Sequence, residues 1–119
     1  MSKPLNEVAF TAGFLAQAKE EGMTETEMGA LVQLLAANPE AGDLIQGAGG
    51  CRKVRIAGRG KGKSGGYRVV TFYARREMPV YVFAVLSKGA RENFPDAEIS
   101  AMGEAAKAIL ARLRPRAAG

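Results

Sequence analysis

The chain has 119 residues, with 17 lysines and arginines against 12 aspartates and glutamates, a formal charge of +5, no histidine and one cysteine. That length predicts a single domain over 1–119, and apolar residues at 47% are enough to fill its core. Without histidine, a Ser-His-Asp triad, a histidine acid and base pair and a histidine-bearing zinc site are excluded, and one cysteine allows neither an internal disulfide nor a cysteine-rich metal site.

Cysteine usage and the lack of a run near the roughly 18 apolar residues of a membrane span lead to the expectation of a reduced, cytoplasmic protein with no membrane contact. Glu7 interrupts the N-terminus too early for a secretory signal. Leu5 to Phe10 is a short apolar segment suited to an opening strand, and Thr11 is an acceptable helix N-cap. A first helix over Ala12 to Glu21 is expected to bury Phe14, Leu15 and Ala18 and to end at Gly22. Thr24 and Glu27 fit a capping box, after which Met28, Leu31, Val32, Leu34 and Leu35 follow at helical spacing as core. Pro39 pushes Asn38 out of the α region, so the second helix stops there.

The glycines at 42, 47, 49 and 50 predict an irregular connection. Arg52 to Ala57 then alternates, with Val54 and Ile56 on one face and Lys53 and Arg55 together on the other. Five glycines between Gly58 and Gly66 read as a flexible basic hairpin tip. Tyr67 to Ala74 and Val80 to Ser87 are strands by their Val, Tyr, Phe and Thr content, joined by a turn at Glu77 to Pro79. Ile99, Met102, Ala106, Ile109, Leu110 and Leu113 mark a closing amphipathic helix that Pro95 and Asp96 start and Pro115 ends, with 115–119 a frayed tail. The expected fold class is α+β: a small antiparallel sheet with two N-terminal helices and a C-terminal helix.

Charge is divided along this order. Residues 1–50 carry 2 basic and 7 acidic groups, 51–76 carry 9 basic and none acidic, and 77–119 carry 6 and 5. A run of uncompensated cations repels itself unless a polyanion lies close by, and cations spaced evenly on strands suggest a nucleic-acid surface. Ala57 to Ser64 also satisfies a loosened phosphate-loop pattern. That loop needs a helix directly after its lysine and serine, whereas Tyr67 to Tyr73 reads as a strand, so a nucleotide triphosphatase is not expected.

The run Gly47 to Arg55, the glycine loop ending in Gly62-Lys63-Ser64-Gly65-Gly66, the segment Tyr67-Arg68-Val69-Val70 and the stretch Lys88 to Glu98 together resemble the RelE/HigB toxins of bacterial type II toxin–antitoxin modules, within the RelE/ParE superfamily. The resemblance spans Leu5 to about Leu113, is strongest over Asp43 to Val70 and is closest to the HigB-like branch with a long glycine hairpin. It implies a RelE-like microbial ribonuclease-type fold and a ribosome-dependent endoribonuclease that cuts messenger RNA without a metal or cofactor. It also implies a protein antitoxin carrying a helix-turn-helix domain, through which alone operator DNA is bound.

Cleavage by the RNA's own 2′-hydroxyl needs a base, cations for the phosphorane and an acid for the leaving oxygen. The resemblance places Lys53 and Arg55 on paired basic positions of the family's second strand, Arg68 at the start of its third, and Lys88 after the last strand with Arg91 close behind. A lysine among cations is harder to keep protonated, which makes Lys53, between Arg52 and Arg55, the candidate base. Arg68 suits the phosphorane, because a guanidinium is fixed in charge and forks two hydrogen bonds to phosphate. Lys88 or Arg91 is expected at the leaving group or a flanking phosphate. Arg52, Arg59, Lys61 and Lys63 are expected as electrostatic grips on RNA, and Tyr73 or Tyr81 as a stacking surface for a base.

Some RelE enzymes carry a tyrosine near the start of the last helix. Here that neighbourhood reads Asn93-Phe94-Pro95, and Gly89 stands where several relatives have a larger or basic residue. The proton donor is therefore unassigned. A ParE-like inhibitor of DNA gyrase on the same scaffold and a non-catalytic RNA-binding toxin are the alternatives.

Overall fold

The computed structural model describes residues 6–57, 66–75, 78–87 and 94–113. Most of the expected glycine hairpin (58–65), Glu77 of the expected turn, the stretch 88–93 and residues 114–119 lie outside the described residues. In chain order the elements are β1 (Val8–Phe10), α1 (Ala12–Glu21), α2 (Glu25–Ala37), β2 (Asp43–Leu44), β3 (Cys51–Ile56), β4 (Tyr67–Tyr73), β5 (Val80–Ser87) and α3 (Asp96–Leu113).

Local chemistry sets the helix limits. Thr11 caps α1 by accepting from the Phe14 N–H at 3.1 Å, and its hydroxyl donates to the Val82 carbonyl at 2.9 Å, tying the start of the helix to β5. Gly22 closes α1 in the left-handed region at φ 76°. In α2 the capping box is complete: the Glu27 N–H donates to Thr24 Oγ1 at 3.1 Å, and Glu27 Oε1 accepts from the Thr24 N–H at 2.9 Å.

Among the described residues five strands form one sheet in the order β1-β5-β4-β3-β2, and with the three helices found there the fold is α+β. Two pairings depart from the sequence expectation. β1 lies parallel to β5, with Val8 opposite Val80, because α1 and α2 carry the chain away before it re-enters the sheet. Within the expected irregular connection, Asp43 and Leu44 pair antiparallel with Lys53 and Arg52. β5 also holds one more residue than β4 between paired positions: Val70 faces Ala84 and Thr71 faces Val82, so Phe83 is bulged out of the ladder.

Both faces of the sheet are used. Phe14, Ala18, Leu31 and Leu35 of α1 and α2 bury against Val54, Ile56, Val69, Val80, Val82 and Val85. On the other face α3 brings Ala106, with Met102 and Ile109 beside it, over Cys51, Val70, Phe72, Ile45 and Ala48. Each large apolar side chain fully buried in these layers contributes about 1.5–3 kcal/mol. Gly49, at φ 69°, lets its loop approach α3 closely: a Cβ there would sit 3.4 Å from Gly103 Cα.

The helices bury narrower stripes than their apolar content suggests. Leu15 is 46% exposed, and Val32, Leu34 and Leu110 are also exposed. A helix lying on a sheet covers one row at i and i+4, here Phe14 with Ala18 and Leu31 with Leu35, and flanking apolar positions remain in solvent.

Candidate RNA-binding face

The pleat sorts the cations of β3 and β4. Val54, Ile56 and Val69 pack toward α1 and α2, so Lys53, Arg55 and Arg68 project from the α3 side of the sheet, in line with Cys51 and Val70. α3 covers Cys51, Val70 and Phe72 at one end of this face. At the other end Arg55 is exposed and Lys53 and Arg68 are half-buried.

Register brings these three together. Arg55 stands directly opposite Arg68, and Lys53 stands opposite Val70, one diagonal step from Arg68. Directly paired residues have Cβ atoms roughly 5 Å apart and diagonal neighbours roughly 7–8 Å, within span of one phosphodiester for side chains of this length. Two arginines facing each other across an antiparallel pair repel, and an anion between them removes that cost.

A fourth group on this face escaped the sequence reading. Asp43 pairs with Lys53 in the β2–β3 register and projects to the same side. A two-residue strand carries no periodicity, so only its neighbours pointed to it, namely the alternating β3 and a preceding glycine. Glu27 was also unforeseen in its second role. Besides its capping box it accepts from the Tyr67 hydroxyl at 3.1 Å, fastening the start of α2 to the first residue of β4, next to Arg68.

Other candidates are placed elsewhere. Arg52 points to the opposite face from Lys53, and its Nη1 donates to the Gly42 carbonyl at 3.0 Å. Tyr73 packs against the core under α1 and α2, and Tyr81 against the core under α3. Lys88, Arg91, Arg59, Lys61 and Lys63 lie outside the described residues. After the glycine loop the chain enters β4 at Tyr67, so the helix that a phosphate loop requires is absent there. Cys51 is buried, and desolvation pushes its thiol up to about 11, which removes it as a nucleophile near neutral pH.

The arrangement therefore gathers two guanidiniums, one ammonium and one carboxylate on one face of three paired strands. It can bind a phosphate and move a proton. A family model described as the RelE toxin of the RelE/RelB toxin–antitoxin system matches residues 6–116.

Proposed function

Because the chain belongs to the RelE toxin family and is the toxin of a toxin–antitoxin system, we propose that it is a ribosome-dependent endoribonuclease acting on messenger RNA in the cytoplasm through the Lys53, Arg55 and Arg68 face. The observation that carries this reading is the direct pairing of Arg55 with Arg68 on the open half of the sheet. Two guanidiniums so placed can both bond one bridging phosphate. The family also implies a cognate RelB-type antitoxin.

In this reading the scissile phosphate sits over Arg55 and Arg68. Attack by the 2′-oxygen adds negative charge to the phosphorus centre, and guanidiniums already in place stabilise it without reorganising solvent. Lys53, one step away, serves proton transfer, a role for which a lysine is suited and a guanidinium is not. Lys88, Arg91 and the loop cations Arg59, Lys61 and Lys63 are assigned to flanking phosphates of messenger or ribosomal RNA. Arg52 belongs to the same electrostatic field from the strand's far side. A helix-turn-helix antitoxin that alone contacts operator DNA completes the proposed module.

Expression without antitoxin tests the reading. Growth arrest with transcript cuts mapped to ribosome-bound messages is expected, and Lys53→Ala and Arg68→Ala should each relieve it. DNA damage with continuing translation would instead indicate a gyrase inhibitor. Ribosome binding with uncut transcripts would indicate a non-catalytic toxin.

A further inference from the structure

We propose that Asp43 is the proton acceptor of this site and that Lys53, across from it on β3, is the donor to the leaving oxygen. The inference rests on the RNA-cleaving reading above and names the acid and base that reading leaves open.

Three features fix Asp43 in place. Direct pairing with Lys53 puts both side chains on the open face with Cβ atoms roughly 5 Å apart. On one side of Asp43, the Arg52 guanidinium grips the Gly42 carbonyl at 3.0 Å. Gly42 itself, at φ 93°, is pressed so close to β3 that a Cβ there would run into the Lys53 carbonyl oxygen and lie 2.7 Å from Val54 Cγ2. On the other side, the Ile45 N–H donates to the Cys51 carbonyl at 2.9 Å, and the Ile45 side chain is buried under α3. A two-residue strand pinned at both ends holds the Asp43 backbone in register with Lys53.

Charge then divides the labour. A carboxylate offers only acceptor lone pairs and an ammonium only donors, so of this pair the carboxylate is the group that can take a proton and the ammonium the group that can give one. Asp43 is exposed, and among the described residues no salt bridge ties it to Lys53, so substrate can reach it.

The step balances. The 2′-hydroxyl proton passes to the Asp43 carboxylate as the 2′-oxygen bonds to phosphorus. The bond from phosphorus to the 5′-oxygen breaks, and that oxygen takes a proton from Lys53 Nζ. The products are a 2′,3′-cyclic phosphate and a 5′-hydroxyl. Return of a proton from the Asp43 carboxylic acid to the Lys53 amine restores both groups with no net proton consumed.

A leaving-group substitution separates the two roles. Wild type, Asp43→Asn and Lys53→Ala are compared on ribosome-bound RNA carrying either an ordinary scissile linkage or one in which sulfur replaces the bridging 5′-oxygen, since a departing thiolate needs no acid. Circular dichroism and thermal melting establish that each variant is folded. Lys53→Ala should lose roughly 10²- to 10⁴-fold on the oxygen linkage and recover most of it on sulfur, whereas Asp43→Asn should lose a similar factor on both. Asp43→Asn cutting both linkages at the wild-type rate would overturn the proposal, as would rescue by sulfur of Asp43→Asn but not of Lys53→Ala. Wild type cutting neither linkage would overturn the RNA-cleaving reading itself, and the assignment with it.

Discussion

Arg55 and Arg68 occupy directly opposed positions on β3 and β4. Replacing Arg55 with Gln should lower RNA cleavage while leaving the unfolding free energy within about 0.5 kcal/mol of wild type, because Arg55 is exposed, as paired denaturant titrations and cleavage assays would show. A loss of both stability and activity would mean that Arg55 serves folding rather than phosphate. A second residue-scale expectation concerns Cys51. Its thiol ordinarily ionises near 9.0 and is raised to about 11 by burial, so the folded state disfavours the thiolate. The unfolded chain then releases its proton first, and stability should be level below pH 9 and fall between pH 9 and about 11. Cys51→Ala should flatten that part of the stability curve.

Among the elements, α2 and β2 position the site from opposite sides. Removing the cap with Thr24→Ala should cost about 1 kcal/mol, read from thermal or denaturant unfolding. Gly42→Ala should be worse than a surface change, because the added Cβ meets the β3 backbone at a φ that side chains rarely adopt. We expect about 1–3 kcal/mol of destabilisation together with reduced cleavage as Lys53 is displaced. How much of this was legible in the sequence depends on the kind of signal. Thr11, Gly22 and Thr24 are local chemical signals and marked the helix limits, and the alternation of Val54 and Ile56 correctly put Lys53 beside Arg55. The parallel pairing of β1 with β5 and the placement of Asp43 opposite Lys53 depend on residues distant in sequence or on a strand too short for a period. Leu15 shows the same gap at the level of packing, since apolar character alone does not say how wide a stripe the sheet will cover.

On the scale of the whole molecule, the division of charge along the chain becomes a division across the sheet. The acidic front folds into α1 and α2 on one face, with Glu20, Glu21 and Glu25 exposed, while Lys53, Arg55 and Arg68 look out from the other. Such polarity steers a polyanion to one side. No described helix is long and apolar enough to cross a membrane. If about five phosphates are contacted, log affinity should fall against log salt with a slope near −3.5, taking roughly −0.7 per contact on single strands. A salt-insensitive complex would remove the electrostatic argument. The most direct test of the account is reconstituted cleavage of a messenger RNA on purified ribosomes by wild type and Arg68→Ala. Wild type should make ribosome-dependent cuts and the variant should be slower by roughly 10²- to 10³-fold, the scale of removing one preorganised donor from a transition state. Equal cleavage by the two proteins, or none by wild type, would contradict it.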